Sequence, residues 1–377
     1  MKEGWEYKKL GEVCVSDLGK TLNQSKDTGT FRPYLCAVNI QWDDIDLSTL
    51  KQSRFEDNEI DRYSVRKGDL LVCEGGDIGR AAIWNNKEAI LYQNALHRIR
   101  FNENVLPRFC LQYLRSLKQN GILDSRYAKG VTIKHLVKSS LLSIPIPIPP
   151  LTEQQRIVEE LDLLSSIIEK KKEQLKELDA LAQSLFYDMF GDPVTNEKGW
   201  EVKRLKDVSR LLNGRAYKQE ELLSEGKYKV LRVGNFFTNS SFYYSDLELD
   251  DEKYCEEGDL LFAWSASFGA FIWEGEKVIY HYHIWKVLHD EETLNKLYYQ
   301  YLLNIMTASF MKDVHGIGMV HLTKVGMEQY MLPLPPLPLQ QQFAQKVEAI
   351  ERQKELIKQS IAETETLFNS RMDYYFN

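Results

Sequence analysis

The sequence predicts an α+β protein in which two α/β domains alternate with two long helices in a pseudo-twofold tandem repeat. The repeat is visible at residues 4–13, GWEYKKLGEV, which return as GWEVKRLKDV at residues 199–208. Further matches follow in the same order along the 377 residues, which indicates duplication of a whole unit. Each copy begins with mixed strand and helix patterns and ends in an apolar heptad pattern, which is typical of a coiled coil.

Three further matches define the repeat. RKGDLLVC at 66–73 returns as EEGDLLFA at 256–263, GVTIKHL at 130–136 as GIGMVHL at 316–322, and IPIPIPPLTEQQ at 144–155 as MLPLPPLPLQQQ at 331–342. The segments between the matches, such as 20–64 and 211–255, hardly resemble each other. The duplication therefore keeps a scaffold while another part of each copy varies. We predict a first domain at 1–150, a central helix at 151–190, a second domain at 191–338 and a C-terminal helix at 339–377.

Within the domains, short apolar runs and turn residues predict individual elements. GDLLVC and AAIW predict two strands joined by a glycine loop, and the aromatic, β-branched run at 277–288 predicts one buried strand. Apolar residues at helical spacing predict helices at 106–118 and 294–306. The proline-rich tracts at 144–150 and 332–338 are predicted to be stiff extended connectors.

The two long helices carry the heptad pattern. Thr152 and Gln155 predict a capping box at the first helix start, and Gly191 and Pro193 predict its end. The predicted partner-helix seam comprises Ile157, Leu161, Leu164, Ile168, Leu175, Leu178, Phe343, Val347, Ile350, Ile357 and Ile361. Lys171 and Lys354 interrupt it. Either their stems lie along the seam with the ammonium in water, or they select the register of the helices.

The repeat also has a cyclic order. Phe376 aligns with Phe190, and the repeat continues from Phe190 through a short turn to Gly199–Trp200. The corresponding Gly4–Trp5 lies at the beginning of the sequence. We therefore expect the two chain termini to lie close together.

Composition narrows the class of protein. Residues 2–9 lack the apolar region of a signal peptide, no apolar run is long enough to cross a membrane, and the five cysteines form no CxxC pair. These features favour a cytoplasmic protein with reduced thiols. The net charge is −7, yet residues 1–150 hold 22 Lys and Arg against 18 Asp and Glu. Because DNA binding needs only a local basic patch, charge leaves nucleic acid open as a partner.

The predicted architecture would suit a DNA reader. A helix of about 38 residues spans roughly 57 Å at about 1.5 Å per residue. DNA half-sites on one face lie about 34–36 Å apart. Two domains spaced by such a helix pair could each reach a major groove, and their unlike intervening segments would read an asymmetric bipartite target.

The residues also carry a family resemblance. FGDPVTNEKGW after the first helix, the IPIPIPP tract leading into EQQRIV, and the two GW starts together resemble the specificity subunits of type I restriction–modification systems. The resemblance implies two target recognition domains and two conserved helices that pair antiparallel and set the spacer between half-sites. It also implies double-stranded DNA, two adenine-methylating subunits and restriction subunits as partners. S-adenosylmethionine and ATP would then bind to those partners. LPLQQQFAQ departs from the pattern because it lacks a glutamate equivalent to Glu153.

Motifs for catalysis are missing from the sequence. It contains no G-x-x-x-x-G-K-[ST] loop and no Asn- or Asp-Pro-Pro-aromatic tetrapeptide of amino-methyltransferases. His281 and His283, on one face of the predicted strand, lack further ligands at metal-site spacing. We therefore predict no catalytic residue, no metal and no cofactor in this chain.

Residue types that reach base edges or phosphates give the candidate DNA contacts. In the first domain they are Glu74, Arg80, Gln93, Asn94, Arg126, Lys129, Lys134 and His135. In the second domain they are Arg215, Trp264, Ser265, Ser267, His281, His283, His315 and His321. Each has a structural alternative: a solvated hairpin arginine, a packed tryptophan or a backbone-capping amide. His135 and His321 recur at aligned positions, which favours scaffold or phosphate roles over base reading.

Two other functions compete with the DNA-specificity hypothesis. A coiled-coil scaffold carrying two protein-binding modules would agree with the negative net charge. A self-contained DNA-modifying enzyme would need the methyltransferase or nuclease motifs that the sequence lacks.

Overall fold

The computed structural model describes residues 4–23, 25–130, 134–238, 241–265, 267–313 and 322–377. The chain divides into two compact units, and the predicted fold class is confirmed. Unit 1 comprises residues 1–172 and 359–377, and unit 2 comprises residues 173–358. Each unit thus contains one α/β domain and a part of both long helices.

Over the described residues, unit 1 contains ten strands. The first four α-helices begin in this unit. The elements are β1 (Glu6–Lys9), α1 (Leu10–Val13), β2 (Cys14–Leu18), β3 (Thr30–Leu35), β4 (Lys51–Phe55), β5 (Ser64–Val65), β6 (Leu70–Cys73), β7 (Ala81–Ile83), β8 (Ile90–Tyr92), β9 (Leu96–Phe101), α2 (Pro107–Gln119), α3 (Lys138–Leu142), β10 (Pro145–Ile148) and α4 (Leu151–Phe190). The strands form sheets in the orders β2-β9-β6-β7, β4-β3-β8-β5 and β1-β10.

The second unit repeats this plan. Its elements are β11 (Glu201–Arg204), α5 (Leu205–Val208), β12 (Ser209–Asn213), β13 (Tyr228–Leu231), α6 (Val233–Phe237), β14 (Tyr243–Ser245), β15 (Tyr254–Cys255), β16 (Leu260–Ser265), β17 (Ser267–Ile272), β18 (Val278–Tyr280), β19 (Ile284–His289), α7 (Lys296–Phe310), α8 (Lys324–Glu328), β20 (Met331–Leu334) and α9 (Leu337–Phe376). The sheet orders are β12-β19-β16-β17, β14-β13-β18-β15 and β11-β20. They match those of unit 1 strand for strand, so the repeat seen in the sequence is also a repeat of topology.

The apolar run of β6 explains how each domain is layered. Successive side chains of a strand point to opposite faces. Leu70 and Val72 pack into the core that contains α2, whereas Leu71 and Cys73 pack into the core beneath the other four-stranded sheet. A strand covered on both faces needs the continuous apolar sequence that β6 has.

The structure corrects three local predictions. The run at 277–288 is two strands, β18 and β19, belonging to different sheets, because His281–His283 turn the chain between them. The proline tracts are not free connectors: β10 pairs antiparallel with β1, and β20 with β11. Pro145 and Pro147 alternate along β10 and leave the amides of the residues between them for pairing.

The third correction concerns the helix starts. Helix α4 begins at Leu151, so Thr152 lies within its first turn and not at the N-cap. Helix α9 begins at Leu337 and includes Pro338, although the tract at 332–338 was expected to exclude helix. Proline fits there because first-turn amides have no partner within the helix.

The long helices pair antiparallel within each unit. In unit 1, Ile157, Leu161, Leu164 and Ile168 of α4 share a core with Phe368, Met372, Tyr375 and Phe376 of α9. In unit 2, Phe343 and Val347 of α9 share a core with Phe186 and Phe190 of α4. Ile350 is buried, and the remaining seam residues, Leu175, Leu178, Ile357 and Ile361, are half-buried.

Both lysines that interrupt the seam have partners on the opposite helix. Lys171 donates through Nζ to the Ser360 hydroxyl and to the Thr364 hydroxyl, at 3.3 Å for the latter. Lys354 lies 2.6 Å from a carboxylate oxygen of Asp179, and its side chain is 15% exposed. Contacts this specific favour the alternative that the lysines contribute to the register of the helix pair.

The beginning and end of the chain meet on one side chain of unit 1. The Phe109 ring packs edge-on against Trp5 at 6.4 Å and against Phe376 at 5.5 Å between ring centroids. In unit 2, Phe190 packs in the same way against Tyr298, at 4.7 Å. The cyclic order of the repeat thus has a structural counterpart.

Candidate nucleic-acid interface

In unit 1, a backbone corner between β8 and β9 presents two of the predicted contact residues. The Gln93 amide donates to the Leu35 carbonyl at 2.9 Å, and the Asn94 amide donates to the Lys20 carbonyl at 3.1 Å. The Leu96 amide closes the turn by donating to the Gln93 carbonyl. These backbone bonds hold the corner without using the half-buried side chains of Gln93 and Asn94.

The loop between β6 and β7 adjoins this corner. The Glu74 amide donates to the Ala95 carbonyl at 2.9 Å, and burial raises the pKa of the Glu74 carboxyl. Arg80 is half-buried, and its Nη2 donates to the Ala37 carbonyl at 2.9 Å. Arg80 therefore anchors the loop to the scaffold and is not the solvated hairpin arginine that the sequence offered as the alternative to a DNA contact.

The segment around residues 126–136 carries the most exposed cations among the first-domain candidates. Arg126, Lys129, Lys134 and His135 are all exposed. Lys129 and His135 exchange two backbone hydrogen bonds of 2.8 Å, and Lys134 Nζ donates to the Asp124 carbonyl at 3.1 Å. This segment presents positive charge, as a phosphate contact requires.

Unit 2 builds the same corner from different residues. The His281 amide donates to the Leu231 carbonyl at 2.9 Å, and the Tyr282 amide to the Arg215 carbonyl at 3.0 Å. The Ile284 amide donates to the His281 carbonyl at 3.0 Å. Gln-Asn-Ala in unit 1 is thus replaced by His-Tyr-His in unit 2. The prediction that the two histidines face one side of a strand is wrong. Their ring centroids nevertheless lie 4.7 Å apart.

The remaining second-domain candidates divide between packing and surface. Arg215 forms two hydrogen bonds with Glu221, at 2.7 and 2.8 Å, and these lower the pKa of Glu221 to about 2. Trp264 stacks on Trp285, with ring centroids 5.3 Å apart, and its Nε1 donates to the Tyr282 carbonyl. Ser265 is buried and pairs with the half-buried Ser267 across β16 and β17. His315 and His321 lie outside the described residues.

A cavity of about 730 Å³ opens beside the unit 2 corner. Its lining includes His281, His283 and Ser265, together with Arg232 and Tyr243, which the sequence analysis did not select. Burial lowers the pKa of His281 to about 4, so this imidazole is neutral at pH 7. Arg232 reaches the corner through the pairing of β13 with β18. Because this contact is between segments distant in sequence, no local motif marks the residue.

In the part of the chain that the structure describes, no group of three or more His, Cys, Asp or Glu side chains has a metal-binding arrangement. None of the helices formed by the described residues is both long and apolar enough to cross a membrane.

Comparison with known proteins identifies the class. The family model of the type I restriction modification DNA specificity domain matches twice, at residues 2–179 and 197–366. These matches cover most of the chain and reproduce its tandem repeat. The chain therefore belongs to the type I restriction–modification DNA specificity family. It is the specificity component of such a system and not a catalytic one.

Individual relatives agree. The MjaIX type I restriction enzyme specificity subunit of Methanocaldococcus jannaschii is 28% identical over 312 residues, covering 75% of this chain and 71% of that protein. The putative MjaX specificity subunit of the same organism is 24% identical over 375 residues, covering 93% of this chain and 87% of that protein.

Two solved structures share the fold. A chain from a study of complex assembly and conformational transition of the type I R-M system has a TM-score of 0.63 at 20% identity, covering 100% of this chain and 98% of that one. The type I S subunit from M. genitalium has a TM-score of 0.54 at 13% identity, covering 98% and 95% of the two chains.

Proposed function

We propose that this chain selects the DNA target of a type I restriction–modification complex by reading a bipartite site, one half-site per α/β domain. One observation carries the proposal: the two units share sheet order and corner geometry but place Gln-Asn-Ala and His-Tyr-His at the corner. A constant scaffold with variable side chains suits two readers of different sequence, because base edges are distinguished by the donors and acceptors presented to them.

The long helices are proposed to dock two methyltransferase subunits. Leu181 of α4 and Leu367 of α9 occupy equivalent positions of the repeat and are 52% and 49% exposed. Leu181 belongs to unit 2 and Leu367 to unit 1. An exposed apolar side chain repeated once per unit supports two equivalent contacts with two copies of one partner.

Further partners follow from the same proposal. Restriction subunits with translocase and nuclease activity would join the complex of this chain with the methyltransferases. S-adenosylmethionine and ATP would bind to those partners, and this chain would hold no cofactor. We expect the complex to act in the cytoplasm, where the DNA that it reads lies.

The test is co-expression of the chain with its candidate methyltransferase, followed by adenine methylation mapping across the host genome. The expected result is one split motif with two specified half-sites and an unread spacer. Methylation of a single undivided motif, or none above the level of the methyltransferase alone, would contradict the proposal. Purification of the complex gives an independent readout, with a ratio of two methyltransferases to one chain expected.

A further inference from the structure

We infer that Arg232 and His281 read a guanine in the half-site of the second domain through the cavity beside the unit 2 corner. This inference rests on the proposed function, because it names the chemical group that one of the two readers recognises.

The corners of unit 1 and unit 2 are structurally equivalent. Leu35 pairs with Tyr92 in unit 1, and Leu231 pairs with Tyr280 in unit 2. The residues that follow Leu35 and Leu231, Cys36 and Arg232, are therefore equivalent. Their amides make the same contact, donating to the Oδ1 atom of the asparagine three residues later, at 2.9 and 2.7 Å.

The two corners carry side chains of different chemistry at equivalent positions. Around the corner, Cys36, Gln93 and Gly75 of unit 1 correspond to Arg232, His281 and Ser265 of unit 2. The last correspondence follows from matching backbone bonds one residue earlier, where Glu74 donates to Ala95 and Trp264 to His283. All three unit 2 residues line the same cavity. The substitutions that distinguish the two scaffolds thus gather in one place.

Arg232 is exposed, and its guanidinium lies over the Tyr243 ring, 5.1 Å from the ring centroid. Over the described residues, no carboxylate forms an ion pair with it, whereas Arg215 is held by Glu221. Stacking on an aromatic ring orients the planar fork of donors without occupying them.

His281 also lines this cavity. Its Nδ1 accepts a 3.4 Å hydrogen bond from the His283 amide, so in the neutral ring the proton sits on Nε2. Burial is the main cause of the lowered pKa of His281, and electrostatic interactions with His283 and Arg232 act in the same direction. His281 is therefore a fixed donor, and it lies near a guanidinium that only donates.

The ligand follows from these donors. The guanidinium of Arg232 and the Nε2–H of His281 are complementary to a base edge that only accepts. Guanine presents two adjacent acceptors, O6 and N7, in the major groove, and arginine contacts them with two hydrogen bonds. Phosphate oxygens share the acceptor chemistry, so the experiment must separate a base from a phosphate.

The experiment uses the complete complex with its methyltransferase subunits, and compares wild type, Arg232→Ala, Arg232→Lys and His281→Gln. His281→Gln should fold, because Gln93 occupies the equivalent corner of unit 1. The control is Arg210→Ala, an arginine of the same domain that is 64% exposed and paired with Glu252. Binding is measured on duplexes that vary one base pair at a time, at several salt concentrations, and methylation is mapped in parallel.

For Arg232→Ala and Arg232→Lys, we expect a 10- to 100-fold loss of discrimination at one G·C pair of one half-site, on the order of one bidentate contact. His281→Gln should lower discrimination at the same or the adjacent pair, and Arg210→Ala should leave it unchanged. Lysine cannot replace the two-pronged contact of arginine with guanine, but it can replace a phosphate contact.

Two results would overturn the inference. In the first, Arg232→Ala weakens binding to all DNA sequences equally and makes the affinity less dependent on salt concentration, and Arg232→Lys restores binding. This combination indicates a phosphate contact. In the second, neither Arg232 variant alters discrimination, so the cavity does not read DNA. If the wild-type complex makes no split methylation motif, the proposed function itself fails and this inference fails with it.

Discussion

Gln154 and Gln340 are equivalent residues near the starts of the two long helices, and each is fully buried with the same three hydrogen bonds. Gln154 Oε1 accepts from the Leu106 amide at 2.9 Å, and its Nε2 donates to the Asn104 and Pro149 carbonyls. Gln340 makes the corresponding bonds to Asn295, Thr293 and Pro335. One side chain per unit thus ties a long helix to the loop before the domain helix.

Gln154→Ala should destabilise unit 1, because three backbone groups would lose their partner, the Pro149 carbonyl in a buried position and the other two in partly buried ones. Each unsatisfied group costs about 1–3 kcal/mol, and partial hydration lowers the total, so we expect a loss of about 3 kcal/mol in the free energy of unfolding. Urea unfolding measures the loss, and hydrogen exchange at Leu106 locates it. Gln155→Ala is the matched control, because Gln155 is exposed and its side chain donates to Glu159 on the surface of the same helix. Equal effects of the two variants would contradict the role assigned to Gln154.

A carboxylate of the helix pair should make unit 1 sensitive to acid. Hydrogen bonds from Arg371 are the main cause of the lowered pKa of Glu160, and Tyr375 donates to it at 2.5 Å. Because the pKa is lower in the folded state, the stability from Glu160 is complete above its unfolded pKa and is lost as pH falls through its folded pKa. Glu160→Gln should therefore be less stable than wild type at pH 7, and the gap should close below about pH 4.5.

Urea unfolding between pH 3 and 7 tests this prediction. Glu159→Gln is the control, because Glu159 is exposed on the same helix turn. A gap between wild type and Glu160→Gln that stays constant over this range would show that the ionisation of Glu160 does not stabilise the helix pair.

Exchanging the corner residues should change specificity without loss of the fold. Replacing Gln93, Asn94 and Ala95 with His, Tyr and His copies the unit 2 corner onto the equivalent backbone of unit 1. Because backbone bonds fix both corners, we expect a change of at most about 1 kcal/mol in the free energy of unfolding. Methylation mapping should show an altered or relaxed half-site for the first domain and an unchanged half-site for the second. A change in both half-sites would contradict independent readers.

The exposed leucines of the long helices should be needed for partner binding and not for folding. Because Leu181 and Leu367 are about half exposed, Leu181→Ser and Leu367→Ser should each alter the free energy of unfolding by less than about 1 kcal/mol. Each variant should weaken the docking of one methyltransferase, and the double variant should weaken both. Mass measurement of the purified complex gives the stoichiometry. Leu47→Ser, at an exposed leucine of a domain loop, is the control. If this variant lost methyltransferase subunits to the same extent, a specific role of the helices would be excluded.

The sequence predicted the repeat, the domain helices and the long helices because their signals are local or periodic. Apolar heptads and duplicated GDLL segments need no knowledge of distant contacts. The corner at His281–His283 was missed because an aromatic, β-branched run without glycine or proline resembles one continuous strand. Arg232 was missed for a different reason: the parallel pairing of β13 with β18, in which Leu231 pairs with Tyr280, brings it to the cavity. Site residues assembled by non-local strand pairing leave no local pattern.

The same reasoning explains why two arginines have different surroundings. Arg80 was predicted as a DNA contact and Arg232 was not, yet Arg80 donates to a backbone carbonyl while Arg232 lies over an aromatic ring at a cavity. The arginine and the glycines of the loop between β6 and β7 predicted that Arg80 contacts DNA. The partner that holds the guanidinium depends on the neighbouring sheet, which the loop sequence does not specify.

The final prediction concerns the unread spacer of the DNA target. Inserting one heptad into α4 after Lys172 and one into α9 after Lys358 places the added residues at the unit boundary of both helices. Seven residues preserve the apolar seam and add about 10 Å at about 1.5 Å per residue, which corresponds to roughly 3 base pairs at about 3.4 Å each. We expect methylation mapping to show both half-sites unchanged and the spacer lengthened by about 3 base pairs.

Insertion into α4 alone is the control. It should lower the stability of the protein, because the contact of Lys171 with Ser360 and that of Lys354 with Asp179 could no longer both form. An unchanged spacer in the double insertion, with both half-sites still read, would refute the idea that the helices set the distance between them.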